Sequence, residues 1–377
     1  MRFLIAGSLH HPEELAKAER AAPPGEPPLF PPSQMQHFWV RALRRAGHEV
    51  EAFLRNVPVW FGWRARRSER FAGARLLARM ASVAGRAPRL NPEYIARNRR
   101  LLAQAARFGP DAILLTGDNR VIFPETLARL RAELGCVIVY LSGVSPIVFS
   151  GALERAAAPL YDLVLVNDLY HGIQWLELGA RRMEVLPVSA CDPDFHQALD
   201  LTPQERTAYA CDVGFVGTLV PASLYSERVA ALEAVRDCGL GIWSIHAIPP
   251  SLQANYRGPA LGETMLRILR GSHIQVNPHG NFMRYGGNMR LFEAAACRVF
   301  QIADDRPGIP TWLTPGEHIV TYRDPAHLRE LVAYYLRHPD ERESIATAAQ
   351  AHVYAHHTYD QRMAALVALV DEARAAR

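Results

Sequence analysis

Short apolar runs alternate along the first half of the chain with longer segments of helical period. This alternation is typical of a parallel β-sheet covered by helices on both faces. Strands are predicted at Arg2–Gly7, His48–Leu54, Asp111–Thr116, Cys136–Leu141, Asp162–Asn167 and Met183–Val188. Helices are predicted at Gln34–Ala46, Asn91–Phe108 and Pro124–Leu134, the last of them followed by Gly135 as a stop signal.

Residues 189–210 interrupt this rhythm, because they contain two prolines and show no clear period, and we interpret them as a linker. The alternation then restarts, with strands predicted at Asp212–Val216, Gly241–His246, His273–Asn277, Val299–Ala303 and His318–Tyr322. Later residues are expected to form only helices, at Ala326–Arg337, Asp340–His352 and Tyr359–Ala375. The pattern predicts two doubly wound parallel-sheet domains, over 1–190 and 211–355, followed by a helical tail over 356–377. One large sheet with an insertion is the alternative.

Composition narrows the class of protein. A length of 377 residues favours two domains, and 49% hydrophobic with 21% charged residues excludes a disordered or fibrous chain. Lys17 is the only lysine, so contacts to phosphate must come from arginine, backbone N–H groups or polar side chains. The five cysteines form no C-x-x-C pair, which argues against a zinc site and indicates a reducing, cytoplasmic compartment. The apolar runs are too short for a signal peptide or a membrane span.

A candidate ligand-binding segment follows the strand predicted at His273–Asn277. It contains two adjacent glycines and a helix that is predicted to begin near Asn288, which is a favourable N-cap. Free N–H groups at such a helix start can hold a diphosphate, and Arg290 in the first turn adds charge-assisted hydrogen bonds. Glu293 can accept hydrogen bonds from the two vicinal hydroxyls of a ribose. The alternative is a capped helix with an Arg290–Glu293 pair on a solvated face.

Four segments carry a family resemblance: Asn288–Cys297 (NMRLFEAAAC), Phe300–Asp304 (FQIAD), Pro315–Asp324 (PGEHIVTYRD) and His356–Arg362 (HHTYDQR). In this order they resemble the carboxyl-terminal domain of the spore-maturation CgeB-like glycosyltransferases, which are similar to family 4 of the GT-B enzymes. The resemblance covers roughly residues 211–370. It implies an α/β GT-B fold, in which two Rossmann-like domains face a cleft and the helical tail over 356–377 packs back on the first domain. It also implies transfer of a sugar from a nucleotide-diphosphate donor, with UDP as the expected nucleotide, to an acceptor hydroxyl.

The resemblance assigns roles to individual donor-binding residues. It implies that Glu293 holds the donor ribose. Arg290 and the N–H groups around Gly286, Gly287 and Asn288 would then hold the diphosphate.

Further donor contacts are implied in the loop after the first strand of the second domain. Gly217 and Thr218 would lie beside the phosphates, and Arg228 is a further phosphate ligand, unless it is a solvated helix-surface arginine. Three features depart from the family pattern. Tyr285 stands where many family 4 enzymes have a sugar-binding glutamate, Arg298 stands where glycine is usual, and the diphosphate-binding lysine has no counterpart. The donor sugar and the stereochemistry of transfer therefore stay open.

The first domain is expected to supply the acceptor contacts and any catalytic base. Its predicted strand ends carry His10, His11 and Asp118, the titratable candidates for deprotonating an acceptor hydroxyl. Each has a structural alternative, such as capping, packing or an Asx turn. A retaining enzyme can use an oxygen of the leaving phosphate instead. No D-x-D pair stands at a strand end in the expected cleft, and Asp192-Pro-Asp194 lies in the linker, so no metal or other cofactor is expected.

A basic aromatic segment at residues 60–89 allows two interpretations. Its arginines, aromatic residues and leucines suit peripheral contact with an anionic membrane or with an acidic acceptor. The favoured interpretation is an amphipathic helix with its arginines in water. Nucleic-acid binding is not expected, because no known module accompanies the charge. Two functional alternatives stay open, a sugar-nucleotide 2-epimerase of the same fold and a non-catalytic nucleotide-sugar-binding protein.

Overall fold

A computed structural model describes residues 1–8, 35–55, 57, 59 and 88–377. The chain divides into two compact units. The first holds the amino-terminal strand, Val40–Leu186 and Ala364–Arg377, and the second holds Pro187–Met363 together with the start of the first described helix, up to Trp39. No helix among these residues is long and apolar enough to cross a membrane. The predicted basic segment at 60–89 lies almost wholly outside the described residues.

The first unit is built on a parallel sheet of six strands in the order β2-β1-β3-β4-β5-β6. The strands are β1 (Arg2–Gly7), β2 (Glu49–Leu54), β3 (Ala112–Thr116), β4 (Val137–Ser142), β5 (Leu163–Val166) and β6 (Met183–Val185). The helices are α1 (Met35–Arg45), which is shared between the units, α2 (Pro92–Phe108), α3 (Pro124–Leu134), α4 (Ala152–Ala156) and α5 (Leu169–Glu177). Short 3₁₀ turns lie at Pro88–Leu90 and Ala158–Leu160.

Local sequence signals explain where these helices begin and end. The side chain of Asn91 accepts the Glu93 N–H and caps α2, while Pro124 opens α3, where its missing N–H costs nothing. Gly135 ends α3 in the left-handed conformation, at a φ of 63°, and donates its N–H to the carbonyl of Arg131. Glycine takes this conformation without a steric penalty, so the stop is encoded in the chain itself.

The second unit contains another parallel sheet of six strands, in the order β12-β11-β10-β7-β8-β9. The strands are β7 (Cys211–Val216), β8 (Leu240–Trp243), β9 (Tyr256–Gly258), β10 (Ser272–Asn277), β11 (Gln301–Asp304) and β12 (Val320–Tyr322). The helices are α6 (Pro203–Tyr209), α7 (Ala222–Ala234), α8 (Gly262–Gly271), α9 (Arg290–Ala296), α10 (Pro325–Arg337), α11 (Pro339–His356) and α12 (Tyr359–Ala375). Two 3₁₀ turns lie at Pro250–Asn255 and Ile309–Thr311.

The predicted fold class is confirmed, with two doubly wound parallel sheets and a helical carboxyl-terminal region. The second half of α12 belongs to the first unit, where Arg374 pairs with Asp111 at 3.0 Å. The predicted linker contains a helix that was not predicted from the sequence. Helix α6 lies within it, and the Thr202 hydroxyl and the Glu205 carboxylate cap the helix by accepting each other's backbone N–H.

The strand order places ligand loops at a definite point in the second sheet. Strands β7 and β10 lie side by side in the middle of the sheet. Strands β8 and β9 follow β7 toward one edge, and β11 and β12 follow β10 toward the other edge. The connections after β7 and β10 therefore leave the sheet in opposite directions and open a crevice at the carboxyl ends of these two strands. This topological switch point is where open α/β sheets bind their ligands.

Candidate functional site

Two loops flank the switch point, one after β7 and one after β10. Gly217 follows β7 and donates its N–H to the carbonyl of Trp243 at 3.1 Å. A Cβ atom at Gly217 would lie 2.8 Å from the ring of Phe215, so a side chain does not fit there without rearrangement. Glycine is therefore required at this position of the loop.

Arg228, on α7, joins the two loops. Its Nε donates to the carbonyl of Pro278 at 2.9 Å, and one Nη donates to the carbonyl of Thr218 at 2.7 Å. Its guanidinium lies over the ring of Tyr225 at 4.9 Å. Burial lowers the pKa of Arg228 to about 10, so the group stays charged at neutral pH. The alternative of a solvated helix-surface arginine was therefore wrong, and Arg228 places a fixed positive charge at the switch point.

The segment from Gly286 to Met289 leads into α9. Gly286 and Gly287 have φ values of 115° and 94°, in the region that favours glycine. The Oδ1 of Asn288 accepts the N–H of Leu291 at 3.3 Å, while its Nδ2 donates to Asn277 at 3.0 Å. The helix spans Arg290–Ala296, and Met289 already has helical backbone angles, so the helix begins next to the predicted cap at Asn288.

Arg290 and Glu293 form a buried ion pair. An Nη of Arg290 donates to the carboxylate of Glu293 at 2.7 Å, and the side chains are only 13% and 7% exposed. Among the described residues no acceptor contacts the buried Nε of Arg290. The alternative of a solvated surface pair was therefore wrong. A buried carboxylate held by one guanidinium keeps lone pairs that can accept hydroxyl groups.

His196 is a site residue that the sequence interpretation missed. Its Nε2 lies 3.9 Å from the second carboxylate oxygen of Glu293, and both side chains are buried. The residue belongs to the stretch interpreted as a linker, 97 positions before Glu293, and no sequence pattern connects the two. The one local signal is Asp192-Pro-Asp194, which forms an Asx turn, and the backbone N–H of His196 donates to the carbonyl of Asp192 just after it.

His279 and Asp304 were also missed, although both lie in segments that the sequence singled out. His279 follows strand β10 and Asp304 is the last residue of the adjacent strand β11, and Nδ1 of His279 lies 2.6 Å from the Asp304 carboxylate. Nε of Arg306 donates to the other oxygen of Asp304 at 2.7 Å. Burial raises the pKa of Asp304, but His279 and Arg306 together hold this pKa well below its usual range. On the opposite edge of the imidazole, Nε2 of His279 accepts the backbone N–H of Asn288 at 3.5 Å.

Tyr285 occupies the position of the sugar-binding glutamate of family 4. Its ring packs edge-on against Trp312, with ring centroids 5.9 Å apart, and its carbonyl accepts the N–H of Gly308 at 2.8 Å. A Cβ atom at Gly308 would lie 2.5 Å from the Tyr285 ring, so this close approach requires glycine. The departure from the family pattern is therefore accommodated by packing.

Comparison with known proteins identifies the family. Residues 227–368 match the family model described as glycosyl transferase-like. Spore protein CgeB from Bacillus subtilis (strain 168) is 30% identical over 292 residues, which is 71% of this chain and 85% of CgeB. The chain belongs to the CgeB-like glycosyltransferases.

Solved structures support the GT-B fold of this CgeB-like glycosyltransferase. Sucrose-phosphate synthase from Thermosynechococcus elongatus superimposes with a TM-score of 0.63 and 14% identity, over 100% of both chains. HepE from Anabaena, in complex with UDP and glucose, gives a TM-score of 0.60 and 14% identity, over 98% of this chain and 99% of HepE. At such low identity the likeness shows the fold alone.

Arg298 stands where the family resemblance leads us to expect glycine, and its backbone conformation explains why glycine suits this position. It follows α9 with a φ of 54°, in the left-handed region that glycine adopts without strain. Its guanidinium pairs with Glu343, but both side chains are largely exposed, at 41% and 55%, so the pair contributes little.

We expect Arg298→Gly to stabilise the protein by about 0.5 to 1 kcal/mol, because it relieves the left-handed strain. Urea denaturation measures the effect. The control is Arg298→Ala, which loses the ion pair but keeps the strain and should be neutral or slightly destabilising. A glycine variant no more stable than the alanine variant would contradict the explanation.

His357 links the family's carboxyl-terminal motif to Trp312. Its Nε2 lies 2.9 Å from the carbonyl of Trp312, and its Nδ1 accepts from Arg362 at 2.8 Å. Burial, followed by the charge of Arg362, lowers the pKa of His357 to about 4. The ring is therefore neutral in the folded protein at neutral pH.

This depressed pKa predicts a pH dependence of stability. Between about pH 6.5 and pH 4 the unfolded chain binds a proton that folded His357 does not, so its contribution is complete above that window and is lost as the pH falls. We expect His357→Gln to remove up to about 3 kcal/mol of the decrease in unfolding free energy across this window. His246→Gln, the same change at an exposed position of the second unit, is the matched control and should alter the slope less than His357→Gln does.

The first unit holds the predicted acceptor-side candidates. His10 and His11 lie outside the described residues and stay predictions. Asp118 follows β3 with a φ of 62°, and its side chain is 61% exposed and pairs with Arg120 at 2.8 Å. Its role as a base stays a prediction.

A buried arginine, Arg55, was missed in the first unit. Its Nε donates to the hydroxyl of Ser8 at 2.9 Å, and its Nη groups donate to the carbonyls of Thr116 and Gly117. Because Ser8 follows β1 and the two carbonyls lie at the end of β3, Arg55 joins the loops at the switch point of the first sheet. It corresponds in this respect to Arg228 in the second unit.

Proposed function

We propose that this glycosyltransferase uses a nucleotide-diphosphate sugar, of the UDP class, and transfers the sugar to an acceptor hydroxyl. The observation that carries the proposal is the buried Arg290–Glu293 pair on the helix that leaves the switch point of the second sheet. A carboxylate is costly to bury, and its retention here is explained if it accepts hydrogen bonds from a ligand.

The ribose is proposed to bind to Glu293. Its carboxylate has about four lone-pair positions, of which Arg290 uses one. The remaining positions suit the 2′ and 3′ hydroxyls of a ribose, which present two donors side by side.

The diphosphate is proposed to bind between the two loops of the switch point. Gly217 on one loop and Gly286 and Gly287 on the other allow a ligand to approach the backbone closely. Positive charge comes from Arg228 and Arg290, the first fixed by two carbonyl groups. Catalysis of this kind requires fixed donors and charges directed at the developing negative charge. These arginines and backbone N–H groups can stabilise the leaving diphosphate in this way, without a metal ion.

The reaction breaks the bond between the anomeric carbon and the diphosphate oxygen and forms a bond to the acceptor oxygen. The acceptor proton passes to a base or to the leaving phosphate. HepE, which shares the fold, has been crystallised with UDP and with UDP-glucose, and this motivates UDP as the first nucleotide to test.

Nucleotide binding tests the proposal directly. Thermal unfolding would be followed with UDP, GDP, ADP and CDP in turn, and we expect one of them at 100 times its Kd to stabilise the protein by about 2.7 kcal/mol. Mass spectrometry of the corresponding sugar nucleotides should then show slow release of the nucleoside diphosphate, by hydrolysis in the absence of acceptor. Absence of stabilisation by every nucleotide would overturn the proposal, and binding without turnover would indicate a non-catalytic binding protein.

A further inference from the structure

We propose that His196 is a positioning residue for Glu293, and that the segment before the second sheet thereby takes part in recognising the donor ribose. The inference rests on the proposed function, since it assigns a residue to the same ribose site. It concerns a side chain that lies 97 positions before Glu293 in the sequence but next to it in the fold.

The hydrogen bonds of the imidazole determine which ring nitrogen carries the proton. The backbone N–H of Asp192 donates to Nδ1 of His196 at 2.9 Å, so Nδ1 is an acceptor and a neutral ring carries its proton on Nε2. This Nε2–H faces the Oε1 atom of Glu293 at 3.9 Å. The other oxygen, Oε2, accepts from Arg290 at 2.7 Å. The contact with His196 is longer than a hydrogen bond, so its ring N–H acts on the carboxylate by electrostatic attraction at short range, while Arg290 supplies the direct hydrogen bond.

The position of the ring is fixed by its surroundings. The N–H of His196 donates to the carbonyl of Asp192 at 2.7 Å, which closes the turn. Tyr354 donates its hydroxyl to the carbonyls of His196 at 2.7 Å and Ala296 at 3.2 Å, and so ties this turn to the end of the helix that carries Glu293. The ring of Phe38 lies 5.4 Å away. These contacts keep the imidazole of His196 in one position next to the carboxylate of Glu293.

The charge state of His196 suits this role. Burial lowers its pKa, while the nearby carboxylates of Glu293 and Asp192 oppose the shift and Arg290 adds to it. The net direction is downward, so the ring is neutral at neutral pH. A neutral N–H donor orients Glu293 without neutralising its charge, and the carboxylate keeps its strength as an acceptor for hydroxyl groups.

Discrimination between ribose and 2′-deoxyribose is the property that a positioning role predicts. The carboxylate can distinguish the two sugars only if its oxygens meet the 2′ hydroxyl at the correct angle. Loss of the His196 donor should therefore weaken ribonucleotide binding while leaving 2′-deoxyribonucleotide binding nearly unchanged. A side chain that merely stabilised the fold would affect both ligands equally.

Two variants distinguish the role of Nδ1 as an acceptor from the role of Nε2 as a donor. His196→Asn keeps an acceptor near Nδ1 for the Asp192 N–H but lacks a donor near Nε2, whereas His196→Gln can return a donor to that position. Calorimetric titration would use the ribose and 2′-deoxyribose forms of UDP, ADP, GDP and CDP. We expect His196→Asn to lower the affinity for the bound ribonucleotide about tenfold, and His196→Gln to recover part of the loss.

The outcomes of this experiment are distinct. Selective loss of ribonucleotide affinity in His196→Asn supports the inference. If the asparagine variant does not fold, His196→Ala, which also lacks the donor, takes its place in the same comparison. Equal loss for both sugars, or affinities equal to wild type, overturns the inference, while wild-type binding that depends on Glu293 leaves the proposed function intact. If the wild-type protein binds no nucleoside diphosphate, the proposed function fails and the inference fails with it.

Discussion

Replacement of Glu293 by glutamine is expected to weaken nucleoside diphosphate binding by about 100-fold. The glutamine amide has nearly the same size as the carboxylate but carries no charge and offers only one oxygen as an acceptor. Two charge-assisted hydrogen bonds to ribose hydroxyls would be weakened or lost, each contributing about 1.5 to 3 kcal/mol. The loss of about 3 kcal/mol corresponds to about 100-fold in Kd. Calorimetric titration of UDP against the wild type and the variant measures this difference.

The same substitution also affects folding, and the two effects must be separated. Glu293 is the carboxylate partner of the buried Arg290, so the variant should lose stability in the absence of ligand as well. Urea denaturation without ligand measures that loss, and the titration is made under conditions where the variant is folded. Glu330→Gln, the same change at an exposed position of α10, is the matched control and should alter neither quantity. Unchanged nucleotide affinity in folded Glu293→Gln would contradict the ribose assignment.

Replacement of Asp304 by asparagine is expected to destabilise the protein by about 3 kcal/mol. The carboxylate accepts from Nδ1 and the backbone N–H of His279 and from Nε of Arg306, and all of these interactions are largely buried. Removal of one partner from a buried charged cluster costs about 3 to 5 kcal/mol, because the remaining groups stay buried without compensation. Urea denaturation at neutral pH measures the loss.

The pH dependence of this effect has a definite sign. The pKa of Asp304 is depressed in the folded protein by His279 and Arg306, against the effect of burial. Its contribution to stability is therefore present above the unfolded pKa, near pH 4, and is lost as the pH falls further. The difference between wild type and Asp304→Asn should narrow at acid pH. Asp305→Asn, the exposed neighbour, is the control, and equal stability of the two variants would show that the cluster is unimportant for folding.

Several elements could be predicted from the sequence almost to the residue. Strand β1 and helix α3 have the predicted bounds, because a continuous apolar run and a proline-to-glycine segment are local signals. Strand β9 was missed, since its three residues lie at the sheet edge, are mostly exposed and show no apolar pattern. Helix α6 was missed because seven residues are too few to display a helical period.

The contacts of the candidate site also fall into those that the sequence could predict and those that it could not. The chain places Arg290 and Glu293 three residues apart on one helix, and this spacing alone brings them together. Their burial could not be anticipated, because the neighbouring residues come from other parts of the fold. The contact of Glu293 with His196 and that of His279 with Asp304 join residues that are distant in the chain, and neither pair has a sequence signature.

Local periodicity and short-range hydrogen bonding therefore determined the fold class, most elements and the helix that carries the family's signature. These depend on interactions between residues a few positions apart, which the order of amino acids specifies directly. The strand order of each sheet determined which loops meet, and it placed Arg55 and Arg228 across the two switch points. Long-range packing then buried Glu293 between Arg290 and His196, and this environment, rather than the residue types alone, makes the carboxylate a candidate ribose ligand.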